Sequence, residues 1–334
     1  MYLLKQYLFK PLGFLLIVVA FYGCQQDDGP AGTWKNEAIK ADKREEFHKL
    51  NDQLFDALKA NKPEDVKNMM SKELLEGDPI ERTVELISLR SKLGSYSMLD
   101  EYYINDKSEP GPLVINADAE GNNAYTLKYN QSTTKQNYVA FLLLKNGADK
   151  WLATAIYGKY DYGWKLNKLD IGQYTINGKN APELYQQAKE KYAKAYWIDA
   201  VNDMAAAEKC FRPSGQWQYA DESEMSRFFY KVVQQVNGKY TFPYTIGQVP
   251  SKPKIFRILT QTMPEGTFPM IYYLSSIKLK DTLGLKRENE QVKKVIGKAL
   301  PGIDQDKKYV LYSVFNGLPD GKKTLEHFDI TDKL

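Results

Sequence analysis

Cysteine, histidine and excess charge are all scarce in this chain. It has two cysteines and two histidines in 334 residues, too few for a Cys/His zinc site. Forty-six basic residues face 42 acidic ones, and the basic side chains are scattered rather than striped, which excludes a nucleic-acid partner. Long apolar runs are also missing. The uncharged core from Leu12 to Tyr22 is about half of the ~20 residues that a spanning helix needs. No motif for a cofactor or catalytic centre stands out, so the expectation is a non-enzymatic protein with no cofactor and no metal.

The N-terminal thirty residues carry the clearest signal. Lys5 and Lys10, an apolar segment and small Gly23 before Cys24 are the three zones of a secretory signal. Phe21-Tyr22-Gly23-Cys24 resembles the lipobox of bacterial lipoproteins. That resemblance implies cleavage before Cys24, diacylglycerol on its sulfur and an acyl chain on the new amine. Two or more acyl chains give stable anchoring. The polar stretch from Gln25 to Gly32 contains Gly29, Pro30 and Gly32 and reads as a flexible spacer. Its Asp27-Asp28 pair resembles the export tag of lipoproteins at the surface of some Gram-negative outer membranes. The expected location is that membrane, on its cell-surface or periplasmic face. Removing residues 1–23 takes out Lys5 and Lys10 and no acid, which leaves 44 basic against 42 acidic residues. With Cys24 lipidated, Cys210 stands alone and no intramolecular disulfide forms.

Aromatic residues are plentiful, with 24 Tyr and five Trp, which suits strand-rich cores and wet pockets. The length predicts two or three domains. From about Glu37, Phe47, Leu50, Leu54 and Leu58 recur at helical spacing. Pro63 starts a second helix and Pro79 a third, which stops at Gly94. The period then becomes two, with Tyr125, Leu127 and Tyr129 alternating with polar residues. Tyr138 to Leu144 is nearly continuously apolar, as in a strand covered on both faces. Asn146-Gly147 turns the chain into a strand from Trp151, and Trp164 to Ile171 closes the meander.

Three helices followed by long strands is the order of the NTF2-like, or SnoaL-like, cone fold. Leu58 to Val66 ahead of Met70 to Leu75, and Gly163 to Asp170, are similar to the start of that family's second helix and to its closing strand. The resemblance covers residues 37–175. It implies an α+β cone whose enzymatic members, ketosteroid isomerase among them, use an inward Asp as proton shuttle. Asp161 and Asp170 flank the last strand and are the acids such a mechanism would use. Tyr125, Tyr129, Tyr157, Tyr160, Tyr162 and Trp164 are the candidate pocket lining.

Beyond Gln173 to Ala181 a second helical block begins, with Leu184, Ala188, Tyr192 and Ala195 on one face. It is similar to a single TPR-type hairpin but has no second copy, so the block reads as a connector between two sheets. Asp221-Glu-Ser-Glu224 looks like a capping box for a further helix. Strands over Lys254 to Thr262 and Phe268 to Leu279, a helix over Asp281 to Leu300, and strands over Tyr309 to Phe315 and Leu325 to Ile330 predict a ββαββ unit. There one helix would lie on an antiparallel sheet. The boundaries are a signal at 1–23, a tether at 24–36, an α+β domain at 37–175, a helical connector at 176–236 and a C-terminal α+β domain at 237–334.

Other candidate chemistry is weak. Ser275-Ser-Ile-Lys278 and Ser251-Lys-Pro-Lys254 match S-x-x-K, but a strand and Pro253 spoil the required helical turn. His48 and His327 read as surface or capping histidines. The pairs Asp100/Glu101 and Asp118/Glu120 read as solvated. The charged residues Lys280, Lys286, Arg287, Glu288, Lys293 and Lys294 read as a solvated helix face. The expected function is a membrane-tethered module binding a small apolar ligand, a glycan or an envelope protein. The alternatives are a cone enzyme with an inward Asp, and an envelope scaffold docking through the helical connector.

Overall fold

Apolar periodicity becomes helix and sheet in the order expected for residues 37–175, with additions at both ends. The structure, a computed structural model, describes residues 29–77, 80–91, 94–107, 111–117, 123–130, 134–145, 149–319 and 325–334. Cys24 with its lipobox-like neighbours, Asp118, Glu120 and Asn146-Gly147 lie outside these residues.

Strand β1 (Gly32–Lys35) and a 3-10 turn (Asn36–Ala38) precede helix α1 (Ala41–Lys59). Helices α2 (Pro63–Met69), α3 (Lys72–Glu76) and α4 (Glu81–Ser91) follow, α2 with its proline in the first turn. Strands β2 (Ser95–Asn105), β5 (Gln136–Lys145), β6 (Trp151–Tyr160) and β7 (Gly163–Gln173) join β1 in a five-stranded antiparallel sheet ordered β1-β2-β5-β6-β7. Residues 32–35, read from sequence as part of the flexible tether, are therefore a sheet edge. Trp34 stacks on Tyr103 at 5.3 Å, and that aromatic contact overrides the local Gly and Pro signal.

Strand β5 shows why its sequence carries no alternation. Tyr138, Ala140, Leu142 and Leu144 belong to the core beneath α1–α4. Val139, Phe141 and Leu143 belong to a second core on the opposite face. That face is covered by β3 (Pro112–Asn116), β4 (Tyr125–Asn130) and β8 (Trp217–Tyr219), a three-stranded sheet, and by α5 (Ala181–Ala193), α6 (Trp197–Lys209) and α7 (Glu222–Lys239). Helix α5 starts on the capping box formed by Asn180 and Glu183. Asp221 at the start of α7 makes no such cap; Glu222 is taken by Arg212 and Glu224 by Tyr185.

The remaining strands β9 (Tyr244–Thr245), β10 (Lys254–Met263), β11 (Gly266–Leu274), β12 (Tyr309–Phe315) and β13 (Phe328–Lys333) form a third sheet, ordered β13-β12-β11-β10-β9. Helix α8 (Thr282–Ala299) packs on it and connects β11 to β12. That connection makes β11 and β12 parallel rather than antiparallel, because a helical crossover carries the chain back to its starting end. Residues 31–334 form one unit, in which α6 places Ala200, Met204 and Ala207 in the second core and Ile198 in the third. The coarse class is mixed α+β. Among the described residues no helix is long and apolar enough to cross a membrane.

Candidate functional site

Strand alternation disperses the aromatic residues singled out from the sequence instead of gathering them. Tyr125 stacks on Trp217 at 3.5 Å, and its hydroxyl donates to Asp100 at 2.5 Å beside Tyr102. Tyr157 lies on the other face, packed beneath α1, with Tyr138 at 5.8 Å. Trp164 meets Phe47 edge-on in that same core. Tyr160 and Tyr162 stack on one another at the β6–β7 turn, where Asp161 is exposed. Asp170 accepts the Ile171 and Gly215 amides, each at 2.8 Å. A Cβ at Gly172 would stand 2.4 Å from the Pro213 carbonyl, so that turn is held tightly against β7.

Tyr129, from the same set, lines a cleft. The space, about 430 Å³, opens between the β3–β4 hairpin and strands β5 to β7. Leu113 and Ile156 supply apolar wall, and Lys128, Asn137, Lys168 and Gln216 supply polar groups. The Tyr129 hydroxyl is buried without a hydrogen-bond partner among the described residues. Burial, aided by the charge of Asp106, raises its pKa well above the ordinary tyrosine range, so it is a neutral donor. Lys128 donates to Gln218, and Asn137 is tied to Thr134. A Cβ at Gly158 would stand 2.4 Å from both Asn167 and Thr134, so this wall needs glycine. The cleft thus offers the ammonium of Lys168 and apolar sides, with Tyr129 in its wall. Among the described residues that line it there is no cysteine, histidine, serine or threonine.

No family model, characterised protein or solved structure matches the chain.

A second constellation looks from sequence like solvated acids and is the reverse. A bulge between Met98 and Asp100 interrupts β2, and the two acids that follow point to opposite faces. Asp100 takes Tyr125, Asn36 and Lys35 on one side. Glu101, fully buried, takes Arg44 at 2.5 Å, His48 at 3.0 Å and the Tyr138 hydroxyl at 2.8 Å on the other. Asn51 donates to that same hydroxyl at 2.7 Å. The hydrogen bond to Glu101 holds the Arg44 guanidinium above its ordinary range. Asn36, in a left-handed conformation at φ 50, closes the node by accepting the Glu101 amide. His48 is therefore oriented by a buried carboxylate, but no hydroxyl or thiol among the described residues hydrogen-bonds to it. The arrangement clamps α1 to β2. The apolar Tyr102-Tyr103-Ile104 run beside the acids was the sequence signal that a strand, not a turn, carried them.

His327 precedes β13 and stacks on Phe315 at 5.2 Å, with Asp329 3.5 Å away. Ser275 follows β11, and its hydroxyl oxygen accepts the Ile277 amide, so no S-x-x-K geometry forms. Glu288 is 3% exposed, and both its carboxylate oxygens lack a partner among the described residues, contrary to the solvated helix face expected for it. Among the described residues no three His, Cys, Asp or Glu side chains are placed to hold a metal ion.

Proposed function

We propose that this chain is an exported, lipid-anchored binding module of a Gram-negative outer membrane. Its ligand site is the cleft beneath Tyr129, and it takes a small molecule with an apolar body and an anionic or hydrogen-bond-accepting head. The observation that carries this reading is a cleft with apolar walls at Leu113 and Ile156 that also holds exposed Lys168. Four helices packed on one face of a meandering sheet support the finer assignment of residues 37–175 to an NTF2-like cone. The lipobox-like segment at Cys24 supports the anchor. A cone enzyme working through an inward acid finds less support, because Asp161 is exposed and Asp170 is engaged by two backbone amides.

The test is titration with 8-anilinonaphthalene sulfonate, an apolar ring system bearing an anion. Binding should saturate, and Tyr129→Phe with Lys168→Met should weaken it about tenfold or more. Equal binding by the double variant would sink the site. For the anchor, Cys24→Ser should leave an uncleaved precursor or release the protein from membranes. Wild-type maturation and fractionation would refute lipidation there.

A further inference from the structure

Strands β11 and β12 carry apolar side chains on both faces of the third sheet, as β5 does in the first. Strands of that kind are normally covered on both sides. The ladder register sorts the two sets, because residues paired across neighbouring strands share a face. Ile271, Tyr273, Tyr312 and Val314 point toward α8 and belong to the third core. Met270, Tyr272 and Leu274 alternate with them and point the other way. These three are half-buried, and among the described residues they pack against none of the three cores. Leu259, paired with Met270 on the same outer face, is 43% exposed. The face is firm at one end, where Phe256, Tyr272 and Phe315 pack against one another at 5.4–6.0 Å. Exposed apolar surface on such a sheet marks an interaction site.

The charges on this face say what covers it. Arg257, Tyr272, Ser313 and Asp329 stand in one row across four strands. Arg257 is exposed at the β10 end of the row, and the Asp329 side chain is 61% exposed at the β13 end. The next row, from Leu259 through Met270 and Leu311 to Thr331, carries no charge. A two-fold axis running along the strands, midway between β11 and β12, lays each row on the same row of a second copy in reverse order. Arg257 then meets the partner's Asp329, and the half-buried Met270, Tyr272 and Leu274 are enclosed between the sheets. An axis across the strands would instead set Arg257 on the partner's Arg257, a like-charge contact that disfavours that arrangement. Four strands about 4.8 Å apart and roughly 20 Å long make a face of roughly 400 Å². Two copies would bury on the order of 1,000 Å² of accessible surface, the size of a weak, reversible interface.

We infer that the outer face of the third sheet is a homodimer interface. Two copies pack sheet on sheet about the axis along the strands, each Arg257 paired with the partner's Asp329. The inference depends on neither the cleft beneath Tyr129 nor the lipid anchor. The test is the protein mass of the purified full chain in dodecyl maltoside, from light scattering corrected for detergent. At about 100 µM wild type should have twice the mass of one chain, as a micromolar interface would give. Arg257→Asp and Asp329→Arg should each weaken the dimer about tenfold or more, because each sets like charges together twice. Both positions are exposed, so the variants should unfold in urea at the wild-type midpoint. An equimolar mixture of the two variants should recover the dimer, since each then supplies the charge that the other lacks. Leu259→Asp should stay monomeric alone and in such mixtures. A monomeric wild type, an undiminished dimer in either charge variant, or no recovery in the mixture would each overturn the inference.

Discussion

Replacing Glu101 by Gln should be among the most damaging single changes outside the apolar cores. The side chain is fully buried and gathers three donors, from Arg44, His48 and Tyr138. Hydrogen bonds to a charged group contribute about 1.5–3 kcal/mol each. Adding all three would overstate the loss, because the side chains of Arg44 and His48 are 29% and 40% exposed and regain water. Tyr138 cannot, since it is buried and its hydroxyl also holds Asn51. The amide of Gln would in addition turn a donor toward donors. A loss of about 3 kcal/mol follows, at the lower end of the range for breaking a buried pair. Equilibrium unfolding in urea, followed by tryptophan fluorescence, measures it. With a slope near 3 kcal/mol/M, the midpoint should fall by about 1 M at unchanged slope. A cycle with Tyr138→Phe should show coupling of about 1 kcal/mol or more. A midpoint within about 0.2 M of wild type would mean that the node contributes nothing to stability and that the reasoning is wrong.

Three further expectations concern single buried groups. Burial raises the pKa of Asp199 above the usual carboxylate range despite Lys307 nearby, so the folded state holds that proton more tightly than the unfolded chain. This group's contribution to stability is full below the unfolded value of about 3.9 and falls as pH rises through the folded value. The stability difference between wild type and Asp199→Asn, measured in urea from pH 3 to 7, should therefore shift against wild type as pH rises; the opposite slope refutes it. The thiol of Cys210 is fully buried and pushed up to about 12 by burial, so it should resist Ellman's reagent at pH 8 until the protein unfolds. Rapid labelling of native protein would contradict that placement. Glu288→Met should be neutral or stabilising by about 1–3 kcal/mol, since it replaces two unpartnered buried oxygens with apolar volume. A marked drop in melting temperature would show that the carboxylate has a partner.

Local periodicity alone determined much of this protein: the helices α1, α2, α4, α5 and α8, the strands β4 to β7 and the two-faced burial of β5. Each depends on side chains a few residues apart, and a period of 3.6 or 2 is written in neighbouring positions. What the sequence could not decide was set by contacts between distant residues. Trp34 makes a strand of a Gly- and Pro-containing spacer only because Tyr103, far along the chain, stands opposite it. Asp100 and Glu101 look solvated until strand alternation sends them to opposite faces and α1 lays Arg44 and His48 over one of them. The eight residues picked for a pocket share a composition but not a surface, since alternation within a sheet sends adjacent side chains apart. Tyr129 faces a cleft because the β3–β4 hairpin arches over strands β5 to β7. Another cleft, lined by Leu184, Asp203 and Phe268, brings α5 and α6 to a hairpin turn some sixty to eighty residues later in the chain. No periodicity records such a meeting, because which faces come together is chosen by the burial of whole elements rather than by any one segment.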